Sequence, residues 1–484
     1  MTIRIYLLAV SMAALAVLAV AQDQAPSTPA PQNQQVPNSV DNGTRSVPAP
    51  AISAIGGLQN PSGSSDASNL PEIPALLGGI GVSPAFLSEM ERSNYLRGGV
   101  NVGATYDDNP LLLSSGAVGN ASVSIFPNLS VEQTSSRMRW KLGYAGGLTI
   151  NQRFTNENQG SHSLIFDSQY RLSPHVNLRV AESFSLTTGF FDAGTGVNVG
   201  GLGGGNGSLL LPLSTTRSTL TTVETNYHFA LNDLIGASGS FYDMHFTNPA
   251  TDVPPGTQLT NQLTNGQTTS GSAFWLHRIF RGDWGGTTYR FQRISFTGGD
   301  TGVHSFLAVD TLSISTRLAL TGFVGPQYAV NNGLLPGGTQ TTQSSDWSLA
   351  GGVDGVWRDE RSSVSAGYSR NISDGGGIFG AVRLQTIHGS LRREIVPGWT
   401  GSVFASHGSN LAILLPSPTS VSSITLTSVG VTAERNVGRS MGLRIGYNHD
   451  LEKESGSTPA SALNAGRNRV FVTLSYQWAK PLGM

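Results

Sequence analysis

From Tyr95 to the C-terminus, apolar and polar residues alternate in stretches that recur about every 21 residues, joined by connections that are by turns very short and long. In NRVFVTLSYQW (468–478), Val470, Val472, Leu474, Tyr476 and Trp478 take every second position, with Phe471, Thr473, Ser475 and Gln477 between them. Side chains on a strand point to opposite faces with period 2, so each such stretch is a strand with one apolar face. The short connections fall at 134–137, 173–175, 231–233, 281–283, 315–317, 358–361, 396–398 and 437–439, eight in all. The long ones fall at 107–121, 155–160, 190–216, 248–267, 298–302, 331–344, 374–380, 408–419 and 451–466, nine in all, rich in Gly, Asn, Thr and Pro. Seventeen connections predict an all-β chain of about 18 strands, a transmembrane antiparallel β-barrel of outer-membrane type, with tight turns on the periplasmic rim and long loops outside.

The two faces of individual strands agree with this. In RMRWKLGYAGGLTI, Met138, Trp140, Leu142, Tyr144, Leu148 and Ile150 share one face, and Arg137, Arg139, Lys141, Gly143 and Thr149 share the other. In WSLAGGVDGVW, Trp347 and Trp357 bracket ten residues, which at about 3.3 Å per residue and a tilt near 40° span roughly 25 Å, the height of a lipid-facing band. Trp140, Trp347, Trp357, Tyr476 and Trp478 are therefore expected in the aromatic girdles. Strands near 176–188, 272–280 and 303–315 slip phase, which predicts bulges there.

Composition changes the picture in one respect. Charged residues make up 12% of the 484, against about 25% for an ordinary soluble protein, while glycine numbers 60. Something other than charge must cover the surface, and lipid does so. The net charge of −1 excludes a polyanion binder held by bulk positive charge, so no nucleic acid is expected as a partner. Cysteine is absent, which removes disulfides, thiolate metal sites and a lipoprotein anchor.

Ahead of the barrel, residues 1–21 carry Arg4, an apolar run to Val20 and Ala19-Val20-Ala21, the pattern of a removed signal peptide. Residues 22–70 are rich in Pro, Gln, Asn and Ser and read as a disordered periplasmic linker. Residues 71–94 offer Ser83 as an N-cap and Pro84 at the first helical position, a short helix or docking segment. The barrel occupies 95–484.

VNVGATYDDNPLL at the first strand and loop, RDERSSVSAGYSRNISDGGG in the middle and the ending SYQWAKPLGM resemble the beta-barrel porin type 2 family, Gram-negative outer-membrane barrels often associated with exopolysaccharide export loci. The resemblance covers the barrel and implies localisation in the cell outer membrane, contact with outer-membrane lipids, and passage or export of an oligosaccharide or polysaccharide. It also implies a periplasmic exopolysaccharide-export partner. The last strand resembles the C-terminal signal read by the barrel assembly machinery, although AKPLGM follows its final aromatic.

Three candidate chemistries stand beside this. His407, Ser409 and Asn410 form H-x-S-N, similar to the motif of outer-membrane phospholipases, with Leu411 where that family has glycine; a polar run at the barrel rim gives the same residues. The glycines of 196–207 lie in a long loop with no following helix and read as loop rather than dinucleotide site. Asp107, Asp108 and Asn109 suit either a calcium ion or a turn. No enzyme activity, metal or cofactor is expected. The inward row should carry Arg139, Lys141, Asp167, Arg171, Arg179, Glu224, Asp354, Arg358 and Arg444, a cationic wall favouring anionic solutes, or else salt-bridge ladders tying the barrel together. A saccharide channel and a scaffold barrel recruiting a periplasmic partner both fit.

Overall fold

The computed structural model describes residues 94–113, 116–154, 158, 160–188, 215–247, 265–280, 283–296, 299–315, 317–334, 341–375, 379–413, 421–438, 440–456 and 464–482. They form 18 strands and no helix. In chain order these are β1 Tyr95–Asp107, β2 Asn120–Thr134, β3 Met138–Asn151, β4 Gly160–Arg171, β5 Val176–Thr188 and β6 Thr215–Ala230. Then come β7 Asp233–Thr247, β8 Gly266–Phe280, β9 Asp283–Phe296, β10 Gly299–Ser313, β11 Leu318–Leu334 and β12 Thr341–Arg358. The last six are β13 Ser362–Gly375, β14 Phe379–Val396, β15 Trp399–Ala412, β16 Val421–Val437, β17 Met441–Gly456 and β18 Asn464–Pro481. Each strand pairs antiparallel with its sequence neighbours, and β1 pairs with β18 from Tyr95↔Pro481 to Asp107↔Arg469, so the sheet closes on itself. Closure removes the sheet edges that would otherwise leave unpaired backbone groups against lipid.

The strand ends that flank the eight short connections fall where the sequence places them. Two use glycine for a backbone other residues rarely adopt: Gly398 (φ 83°) after Pro397 and Gly438 (φ 69°) after Val437. On the opposite rim the strands run further than expected. Residues 299–302 belong to β10, and β11 and β12 take up much of 331–344. Above the lipid both faces of a strand can be wet, so pairing continues without the apolar alternation that marks a strand in sequence.

Of the three stretches expected to bulge, only 272–280 holds a register shift, at Arg278/Phe280; the other two slip phase for a different reason. β5 pairs with β4 and β6, and β10 with β9, in unbroken register, and the irregularity in β8 lies at Arg278/Phe280, beside its turn. Alternation fails there because polar groups face out and apolar groups face in. Glu182 lies on the outward row of β5 and accepts a hydrogen bond from Thr221 at 2.5 Å. Leu234, Phe274, Leu276, Trp284, Leu307, Val309 and Ala350 form a buried cluster on the inward face of β7–β12.

Elsewhere the wall has the expected polarity. Val102, Leu129, Leu148, Ile150, Val223, Val429, Val472 and Leu474 are outward and exposed. Inside, small hydroxyls pair across strands: Ser238 with Ser272 at 2.8 Å, Ser240 with Ser270 at 2.7 Å, Ser365 with Ser390 at 2.7 Å. No helix among the described residues is long and apolar enough to cross a membrane; the strands do so instead. Exposing this much apolar surface to water would cost about 25 cal/mol per Å², and a closed antiparallel barrel with such an exterior is an outer-membrane protein.

The barrel is closed at its base by an aromatic. Trp478 of β18 lies opposite Gly98 of β1, and its indole occupies the space a Cβ at position 98 would need. Gly98→Leu is therefore expected to weaken the closing β1–β18 seam by about 1–3 kcal/mol, the usual cost of overpacking. A lower urea midpoint for loss of the heat-modifiable band would register it, with Gly143→Ala, where the nearest atom to a new Cβ is at 3.8 Å, as the neutral control.

One seam is incomplete. β12 and β13 pair only from Gly351↔Arg370 to Arg358↔Ser363, the lower half of each strand, whereas β13 stays paired with β14 up to Gly375. Above Gly351 the upper ends of β13 and β14 leave β12 and turn into the barrel. Ile372 and Ala381 pack, with Ile413, against Ile294, Val303, Ala329 and Phe296 on the inner wall of β9–β11. Ile372 would face lipid by its register; here the inner wall covers it instead.

Candidate pore lining and constriction

Near the turn side of the barrel, register brings charged residues from six successive strands to one level. Glu132 of β2 lies opposite Lys141 of β3, Lys141 opposite Asp167 of β4, and Arg179 of β5 opposite Glu224 of β6. Diagonal neighbours complete the belt: Arg139 Nη2 is 2.7 Å from Glu132, Arg97 is 4.0 Å from the same carboxylate, and Arg179 Nη2 is 2.5 Å from Asp167. Asn226 Nδ2 donates to Glu224 at 3.0 Å. Signs alternate along the belt, as cross-strand pairing favours.

The far side of the barrel carries a second set. Asp354 Oδ2 lies 3.0 Å from His388 Nε2, and Glu434 lies between Arg392 (3.2 Å) and Arg444 (3.3 Å). Arg444 also lies over the Phe471 ring, 5.8 Å from its centroid. Arg171 ends β4 on the same inward row, and Arg358 ends β12, exposed at the turn, its N–H donating to the Arg317 carbonyl.

All nine residues expected on the inward row thus lie on inward register positions, in two groups rather than one ring. Sequence reasoning missed the partners Arg97, Glu132, Arg392, Glu434 and His388. With the four non-histidine partners added, this named set holds eight basic and five acidic side chains. Parity alone did not reveal the partners, because which residue lies opposite Lys141 is set by register. Many of these cations are tied to carboxylates, as the ladder alternative supposed, and the basic side chains still outnumber the acidic.

At the long-loop end, Asp450 receives Arg469 at 2.9 Å and Arg467 at 3.6 Å, and Arg467 lies 3.6 Å from Asp107. At the same end of the barrel, the upper ends of β13 and β14 turn onto the inner wall of β9–β11. Arg290 of β9 faces the interior within electrostatic reach of Asp374 on the turned-in strand. Neither residue stands out in the sequence.

The remaining candidates resolve into local structure. His407 and Ser409 share the outward face, His407 Nδ1 lies 2.9 Å from the Thr427 hydroxyl, and Asn410 points the other way and is buried; the three do not converge. The Asn109 N–H donates to Asp107 at 3.0 Å, and its side chain bonds Leu113 and Gly466, the geometry of a turn. Asp108 is held by Asn468 through two 2.6 Å bonds. Among the described residues no cluster of His, Cys, Asp and Glu is arranged to hold a metal. The glycines of 196–207 and everything before Asn94, including the signal peptide, linker and docking segment, lie outside the described residues. Trp140, Trp357, Tyr476 and Trp478 stand outward near the turn side, and Trp347 packs at a tilt against Tyr328 with centroids 4.8 Å apart toward the other rim.

No protein-family model matches the chain, and no curated protein matches it. Among solved structures, it is similar to the outer membrane protein OpdK from Pseudomonas aeruginosa, at 13% identity over 80% of this chain and 99% of that one, with a TM-score of 0.41. OpdQ from the same organism gives 10% identity over 81% and 98%, with a TM-score of 0.39. The ferric-catecholate import receptor Fiu from E. coli K12 gives 9% identity over 80% and 82%, with a TM-score of 0.41.

Proposed function

We propose that the chain is an outer-membrane channel for hydrophilic solutes, saccharides foremost, with a mildly anion-favouring inner mouth. The observation that supports this reading most is the inward turn of β13 and β14. A barrel that serves only as a scaffold has no need to bring strand ends into its own interior, whereas a channel needs a narrow section to discriminate. The hydroxyl-rich inner rows suit sugars, and the excess of guanidinium groups suits carboxylate or phosphate substituents on them. Passage of an exopolysaccharide, as the resemblance to the beta-barrel porin type 2 family implies, is the fuller form of the same proposal.

Arg139, Lys141 and Arg179 lie among the first four residues of β3 and β5, beside periplasmic turns. Fixed charge in a narrow aqueous passage acts over about 10 Å at 0.1 M salt. Exchanging all three for glutamate is expected to move the reversal potential in a salt gradient from anion toward cation preference, the effect fading in molar salt. An unchanged reversal potential in folded protein would remove these residues from the conducting path.

A further inference from the structure

The pairing of β12 with β13 stops at Gly351↔Arg370, yet its register continues without a shift. Ala350 would next stand opposite Asn371, Leu349 opposite Ile372, Ser348 opposite Ser373 and Trp347 opposite Asp374. The faces agree in that continuation: Leu349, 59% exposed on the outward row, gains Ile372 as its outward neighbour. The backbone direction agrees as well. Asp359 donates to the Ser362 carbonyl across this seam, and backbone groups alternate in direction along an antiparallel strand. Ile372, an even number of residues further along β13, therefore points its N–H to the same side. It donates instead to Gln327 Oε1 of β11 at 3.3 Å, and Gln327 Nε2 donates to Ser305 of β10 at 2.9 Å. A side chain of the inner wall thus stands in for a carbonyl of β12.

The turned-in ends therefore fit two seats. On the inner wall, Ile372 and Ala381 bury against Ile294, Val303 and Ala329, and Gln327 takes the N–H. On β12, the same N–H pairs with backbone, and Ile372 exchanges the inner wall for lipid beside Leu349, an apolar contact of the same kind. A strand edge is a template for pairing, which favours the second seat. The gap between the two is short: Arg383 of β14, opposite Ile372, reaches Asp346 of β12 at 2.5 Å. β14 also stays paired with β15 up to Val382↔Ala412, so these strand ends move together. We propose that the upper ends of β13 and β14 are a gate with two seats, the inner wall occupied in this structure and the upper edge of β12, and that Gln327 is the latch of the first. Zipping onto β12 extends the seam and clears the interior. This goes beyond the channel reading, and its test reads a cross-link rather than conductance, so the two fail separately.

The chain has no cysteine, so an introduced pair reports alone. Ser348→Cys and Ser373→Cys stand directly opposite in the continued register, at a pair without cross-strand hydrogen bonds. Cα atoms there approach to about 4.5 Å, within disulfide range. In the full chain in phospholipid vesicles, mild oxidation should link them. Mass spectrometry reads the link as joined tryptic peptides, because Arg358, Arg361 and Arg370 separate the two positions. Val356→Cys with Ser365→Cys, opposite one another in the formed part of the seam, sets the full rate. Ser344→Cys with Ser373→Cys, off register by about 13 Å along the strand, sets the background. Gln327→Ala should raise the 348–373 rate several-fold toward the full rate, with the 356–365 rate and the heat-modifiable band unchanged. Linkage at 348–373 no faster than the off-register pair in both backgrounds, or a 348–373 rate that Gln327→Ala leaves unchanged, overturns the proposal.

Discussion

Replacing Ile372 and Ala381 by aspartate raises single-channel conductance several-fold and admits larger sugars. Both side chains pack against Ile294, Val303 and Ala329 on the inner wall. An unpaired carboxylate buried in that apolar seat costs several kcal/mol, more than the packing it replaces supplies. The upper ends of β13 and β14 then leave the wall, while their pairing with each other, which runs from Ser362↔Arg393 to Gly375↔Phe379, does not depend on it. The mouth at the long-loop side widens as a result. Ile372→Val, which keeps an apolar side chain in the seat, leaves conductance near that of the parent. Folded double-aspartate protein conducting like the parent would mean that these strand ends do not narrow the passage.

A second large effect is on assembly. Leu142 lies on the outward row of β3 and Ile445 on that of β17, each four residues above the first residue of its strand, toward the middle of the apolar band. Leu142→Arg or Ile445→Arg is expected to cost roughly 2–4 kcal/mol, the penalty for a guanidinium at that depth on the lipid face of a barrel. Thr149→Lys, one register position away from the lipid row and facing inward, keeps its charge in water and costs little. Urea titration of refolding into vesicles, read as heat-modifiable protein, separates the two. Equal losses from outward and inward charges would reverse or erase the assignment of faces.

How far the fold was legible follows from which constraints a bilayer imposes. Lipid requires an apolar outer row at every crossing, so Met138 to Ile150 and Val470 to Trp478 announced their strands and their faces. No such requirement acts on the interior. The inward Leu307 and Val309 therefore broke the alternation of β10, and sequence reasoning took the break for a bulge. Ile372 misleads in the opposite way: its spacing from Tyr368 is that of a lipid-facing residue, and only the departure of β13 from β12 turns it inward. A local pattern cannot carry that information, because the inner wall and the lipid offer Ile372 the same apolar contact. The charged belt was half legible. Arg139, Lys141 and Arg179 follow from parity alone, whereas Glu132, Glu434 and Arg392 required register, which parity does not give. The half-open β12–β13 seam was not legible at all, since it is made by pairing that stops.

Recording from purified, heat-modifiable protein in planar bilayers decides whether the barrel conducts. A channel predicts discrete conductance steps whose amplitude falls as neutral sugars of increasing size are added, with anions carrying the larger share of current in a salt gradient. Folded protein that inserts and stays silent at every voltage and salt concentration would contradict it.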